Sequence, residues 1–246
     1  MHTLITIPYS HYCERARWAM DYSGLDYTEA GHAPFFHAYY NRKAGAKRTV
    51  PSLVTPEGVL TDSADILDYV HRSGATLYPE GQRANIKSWE HLFDRRLGVP
   101  ARAWAYIYLK DAPEVVHELL AGGDARQYKT LKPVVPQLVK LIAKNYRATS
   151  GRRQYLENQL NAMLDQCDHV LRDGRRFFCG DTFTAADITL CSLFGVLLNP
   201  PEYGYPYPAT ETFPEAMQKQ MALWSERPTG QYILNTYATQ RNRKAI

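Results

Sequence analysis

Cysteine is scarce in this chain of 246 residues: there are 4, Cys13, Cys167, Cys179 and Cys191, and no two are spaced as a Cys-x-x-Cys pair. So few, so far apart, exclude a disulfide scaffold and suggest buried free thiols. Long apolar runs are missing too, with no stretch of about 18 apolar residues to cross a bilayer. The opening Met1-His2-Thr3-Leu4 has no basic segment, apolar stretch or small-residue cleavage site, so the expectation is a cytoplasmic protein without a membrane partner. Charge of one sign is also in short supply, since 29 Lys and Arg against 25 Asp and Glu leave a net +4. Lys140, Lys144, Arg147, Arg152 and Arg153 cluster, and Arg241, Arg243 and Lys244 lie in the tail. Solvated faces account for these cations better than a nucleic-acid surface does. The 8 histidines show no metal-binding spacing, and His32 and His37 are separated by Pro34, so no metal is expected.

What is present is apolar content, 45% of residues, enough for a sizeable core. Two periodicities divide it. From His2 to Ile7 polar and apolar residues roughly alternate up to Pro8, which predicts a strand; Glu14 to Tyr22 carry helical spacing and stop at Gly24. Short strands follow over Leu25 to Ala30, Ser52 to Thr55 and, after the Pro56-Glu57-Gly58 turn, Val59 to Thr61, with an irregular aromatic-rich stretch through Tyr40 as a weak helix. Thr61 to Arg72 is helical. One small α/β layer domain over residues 1–75 fits this order.

A linker rich in Gly and Pro is expected over residues 76–82, and residues 83–246 read as an all-helical domain. Trp89, Phe93 and Leu97 recur every four residues, and Leu156, Leu160, Met163, Cys167, Val170 and Leu171 form a stripe. Pro133, Pro136 and Gly122-Gly123 should break helices between Asp111 and Ser150, and Pro200 to Pro208 should be an extended loop with interleaved tyrosines.

Four local motifs stand out. Pro8-Tyr9-Ser10-His11-Tyr12-Cys13 lies where the first strand yields to the first helix, a place where free amides and the helix dipole favour an anionic sulfur. Ser10 either caps that helix or serves such a ligand. Val50-Pro51 opens a strand, in trans or cis. Thr61-Asp62-Ser63 begins a helix, with Asp62 and Asp65 as a plain helix start or with Asp62 and Ser63 as groups for a charged ligand. In Gly180-Asp181-Thr182-Phe183-Thr184-Ala185-Ala186-Asp187-Ile188, Thr184 and Asp187 are spaced as a capping pair, flanked by Phe183 and Ile188 as a hydrophobic staple.

Together these motifs resemble those of cytosolic glutathione transferases, notably the serine-using, zeta- and omega-like classes, over residues 1–80 and 155–195. The resemblance implies a thioredoxin-like N-terminal domain that holds glutathione as co-substrate, followed by an all-helical domain that supplies the pocket for an apolar electrophile or peroxide. It implies that Ser10 stabilises the thiolate and that a cis Val50-Pro51 bond presents the main chain of Val50 to the cysteinyl part of glutathione. Ser63 and Asp62 would meet the γ-glutamyl carboxylate and ammonium, and Lys47 or Arg48 the glycyl carboxylate. For the second-substrate pocket the candidates are Tyr9 and His11, with Trp104, Tyr106 and Tyr108, although aromatics at such spacing also form cores. A homodimer is the family expectation. Two rival activities remain open at this point: a thiol–disulfide oxidoreductase using Cys13, and a non-catalytic binding protein that keeps the fold.

Overall fold

The computed structural model describes residues 1–243, so Lys244 lies outside the described residues. Strand β1 (His2–Thr6) pairs in parallel with β2 (Tyr27–Gly31) and antiparallel with β3 (Ser52–Thr55), which pairs antiparallel with β4 (Gly58–Leu60). The sheet order is therefore β2-β1-β3-β4. Its central strand carries Leu4 opposite Leu53, both buried. Alternation puts such residues on one face, where α1 (His11–Ser23) and α3 (Ser63–Arg72) cover them with Ala16, Ala19, Met20, Ile66 and Val70. Gly24, at φ 70, ends α1 in the left-handed conformation that glycine adopts without steric cost. The stretch through Tyr40 forms a regular helix, α2 (Phe36–Lys43).

Helix α4 (Arg83–Phe93) runs through a π-helical turn, Asp94–Gly98, directly into α5 (Val99–Leu109). Then come α6 (Pro113–Ala121), α7 (Ala125–Leu131), α8 (Val135–Asn145), α9 (Arg153–Leu171), α10 (Ala185–Gly195), α11 (Glu215–Ser225) and α12 (Pro228–Gln240). Gly122-Gly123 follows α6 as expected, whereas Pro136 stands inside the first turn of α8, where its missing N–H costs nothing. Every residue of α10 is buried, because the helix is apolar all round and packs against α1, α4 and α12.

The capping pair forms as its spacing predicts. Asp187 is fully buried and its carboxylate accepts the N–H of Thr184 at 2.7 Å and its hydroxyl at 2.8 Å. It also accepts the N–H of Phe178 at 2.7 Å and the hydroxyl of Tyr232. Phe183 turns its ring to Tyr22, at 5.0 Å between centroids, and to Phe177 and Trp18.

Arg241 corrects the reading of the tail as a solvated face. It is 5% exposed and pairs with Glu14 and Asp21 on α1, while Glu14 also accepts from Arg17, which in turn holds Glu29.

Candidate active site

Ser10 is the N-cap of α1, yet its side chain makes no capping hydrogen bond. Its main chain does the anchoring: its N–H donates to the carbonyl of Ile7 at 2.9 Å and its carbonyl accepts the N–H of Glu14 at 2.9 Å. The hydroxyl is therefore not spent on the cap; it acts on the Cys13 thiol and stands half-buried in the wall of a cavity of about 350 Å³. Tyr9, His11, Thr49 and Val50 line the same cavity.

Burial holds the thiol and the tyrosine hydroxyls of this loop protonated. Cys13 is 0% exposed, and burial pushes its thiol up to about 12 even with Arg17 and the Ser10 hydroxyl acting in the other direction. Burial also raises the Tyr9 hydroxyl, reinforced by Tyr106 and Tyr207. Tyr207 donates its hydroxyl to the carbonyl of Tyr9, pinning the loop from the helical domain. The buried imidazole of His11 has Nε2 at 3.0 Å from the carbonyl of Gly98, so the hydrogen sits on Nε2. Burial, helped by Arg102, lowers its pKa to about 3 and leaves it neutral. The π-helical turn presents that carbonyl, and glycine at position 98 leaves room for the hydroxyl of Tyr12, which an added Cβ would strike.

The Val50-Pro51 bond is cis. Val50 precedes the β3 ladder, and no hydrogen bond among the described residues engages its N–H or carbonyl. Asp62 caps α3, accepting the N–H of Ala64 at 2.8 Å through one oxygen. Ser63 is buried with its Oγ 3.4 Å from Nη1 of Arg15, a guanidinium that also holds Asp94 at 2.9 Å and Glu90 at 2.5 Å. Asp62 and Ser63 stand outside the residues lining the cavity, at the neighbouring helix start. Lys47 is exposed and also outside it, whereas Arg48 lines it.

Of the three aromatics that spacing suggested in the helical domain, Tyr106 lines the cavity, while Trp104 and Tyr108 do not. Trp104 is fully buried, donating its indole N–H to Glu157 at 3.0 Å and packing on Trp224, and Tyr108 lies against it at 4.9 Å between centroids. Neither lines the cavity. Both occupy the core-facing side of α5, while Ala101, Arg102, Ala105, Tyr106 and Leu109 occupy the cavity side. Tyr146, Phe213 and Met217 complete the wall from α8 and the start of α11. Tyr146 meets Arg102 and Tyr106 of α5, and Phe213 and Met217 reach the same cavity from far along the chain, a long-range arrangement that left no local signal.

The glutathione S-transferase N-terminal domain model matches residues 4–75 and the corresponding C-terminal domain model matches residues 127–225. The chain belongs to the glutathione S-transferase family. Among solved structures it is similar to glutathione transferase GSTFuA3 of Phanerochaete chrysosporium, at 16% identity and TM-score 0.62, with 96% of each chain covered. A glutathione transferase of Ceriporiopsis subvermispora in complex with glutathione aligns at 15% identity and TM-score 0.61, covering 97% of each chain. The beta-etherase LigF of a Sphingobium strain aligns at 15% identity and TM-score 0.60, covering 96% of this chain and 99% of that one. At such identities the likeness is one of fold: a thioredoxin-like domain followed by a helical one. No curated protein sequence matches the chain. None of the described helices is long and apolar enough to cross a membrane.

Proposed function

We propose that this transferase-family chain binds glutathione and delivers its thiolate to an apolar electrophile or a peroxide held in the cavity. The observation that carries the reading is the convergence of Ser10, its hydroxyl unspent by the cap, and Val50, its main chain unpaired, on one cavity whose far wall is apolar and aromatic. Glutathione would lay its cysteinyl main chain beside Val50 and place its sulfur near the Ser10 hydroxyl and the start of α1. A hydrogen bond donated by Ser10 favours the thiolate and so lowers the thiol pKa. In conjugation the sulfur forms a bond to the electrophilic carbon as the leaving group departs with its electron pair, and the thiol proton passes to solvent.

At the two ends of the peptide the charges are answered by the α3 start and by the β3 approach. Ser63 and the free oxygen of Asp62 suit the γ-glutamyl carboxylate and ammonium. Arg48, on the cavity wall where Lys47 is not, suits the glycyl carboxylate. The oxidoreductase alternative is weakened by Cys13, whose buried thiol is neither accessible nor ionised. A twofold homodimer belongs to the same proposal and is tested by light scattering.

Titration calorimetry with glutathione, followed by a conjugation assay with an activated aryl halide, tests the reading. Binding with turnover is expected; binding without turnover would favour a non-catalytic family member, and absence of binding would overturn the proposal.

A further inference from the structure

The cavity is charged in one sense only. Arg48 and Arg102 line it, and among the described residues no Asp or Glu does; His11 and His37 also line it, and burial lowers the pKa of both and so favours their neutral forms. Arg48 stands at the approach to Val50, with the groups proposed for glutathione. Arg102 stands apart, on the cavity side of α5, in the apolar wall made with Ala105, Tyr106 and Leu109.

The Nε of Arg102 is buried and, among the described residues, has no hydrogen-bond partner. Its guanidinium sits 4.2 Å from the ring centroid of Tyr146 and 5.6 Å from that of Tyr12, so aromatic faces flank it on two sides. Among the described residues it has no carboxylate partner, whereas the buried arginines Arg15, Arg17 and Arg241 all pair with acids. A guanidinium drawn into an apolar wall is costly unless an anion or water meets it, and its planar fork matches a carboxylate. Two tyrosine faces stabilise the cation and hold it in place, but they leave its N–H donors unspent. Its charge also helps to keep His11 neutral, so the nearby imidazole adds no competing positive charge.

We propose that the second substrate is an organic anion, an aromatic body bearing a carboxylate, with the carboxylate on Arg102 and the body against Ala105, Tyr106 and Leu109. This deepens the glutathione reading by naming the class of acceptor, but the anion site itself does not require glutathione. The arrangement orients the acceptor: the charge is fixed on α5, and the aromatic body is left to fill the rest of the cavity towards Ser10.

Calorimetry on the full chain with 2-naphthoate and its neutral isostere 2-naphthamide, each with and without saturating glutathione, tests this. The acid should bind about tenfold more tightly than the amide, the ratio expected of one charge-assisted contact. That preference should vanish in Arg102→Leu and partly survive in Arg102→Lys, with glutathione affinity unchanged in both. Equal binding of acid and amide by the wild type, or failure to bind either, overturns the proposal without any variant having to fold. So does a preference that persists in Arg102→Leu, or a loss of glutathione affinity there as large as the loss for naphthoate, which would assign Arg102 to glutathione. Discrimination of naphthoate by a wild type that does not bind glutathione would support the anion site and sink the glutathione reading alone.

Discussion

Oε1 of Glu14 lies 2.7 Å from Nε of Arg241, although 227 positions separate them in the chain. The pair fastens the end of the helical domain to the helix whose start carries Ser10. Both side chains are almost wholly buried, and Glu14 keeps Arg17 and the N–H of Gly204 as further partners. Arg241→Ala should therefore cost about 3 kcal/mol, near the low end for a broken buried pair, because Glu14 is not left alone. Urea denaturation measures it, and a loss under about 0.5 kcal/mol would mean the pair does not hold the domains together.

Asp187 answers four donors, from Thr184, Phe178 and Tyr232, where its spacing in the sequence promised a helix cap alone. A lost cap costs about 0.5–2 kcal/mol; stripping a buried carboxylate from this many donors should cost about 3 kcal/mol or more in Asp187→Ala. Thermal melting would check it. Glutathione affinity per folded molecule should stay unchanged, and a selective loss of affinity would show that the motif does more than hold the fold.

The acid sensitivity of the fold should trace in part to His11. Its folded pKa, about 3, lies below the ordinary value of 6.5, so between those values the unfolded chain binds a proton that the native chain does not. Stability from this group is complete above about 6.5 and falls by about 1.4 kcal/mol per pH unit on acidification through that window. His11→Gln should flatten the dependence between about pH 6.5 and 5. Parallel stability–pH curves for variant and wild type would remove His11 as the cause.

What was legible in the sequence was local. The strand–helix alternation, the cap at Thr184 and Asp187, and Val50-Pro51 depend on residues within a few positions of one another, and they stand where the pattern puts them. The wall of the cavity was legible only in part: Tyr9, His11 and Tyr106 line it, while Trp104 and Tyr108 do not. On α5 the pairs Arg102 and Tyr106, and Trp104 and Tyr108, share the same spacing of four, so periodicity defines two faces without saying which is inside. The choice is made by Trp224 and Glu157, far along the chain, which claim Trp104. Arg241 is buried for the same long-range reason, its partner Glu14 being on the first helix.

The last prediction concerns the side chain that activates sulfur. Ser10 and Tyr9 both line the cavity, and Cys13 is withdrawn from it by burial. Tyr9 is tied by its carbonyl to Tyr207, and its hydroxyl sits among Tyr106 and Tyr207, whose proximity, with burial, keeps it protonated. Ser10 stands at the helix start itself, with its hydroxyl free of the cap. A thiolate there receives both the dipole and the hydroxyl, so Ser10→Ala should raise the pKa of bound glutathione by about one unit, equivalent to about 1.4 kcal/mol, and slow conjugation about tenfold at neutral pH. Affinity for glutathione should change little, since the protonated thiol loses less than the thiolate. Tyr9→Phe should leave the pKa nearly untouched. Ser10→Cys should turn the site towards mixed-disulfide exchange, because a thiolate at that position attacks a glutathionylated substrate directly. Ultraviolet titration of the bound thiolate distinguishes the two hydroxyls: an unchanged pKa in Ser10→Ala together with a raised one in Tyr9→Phe would transfer the role to Tyr9.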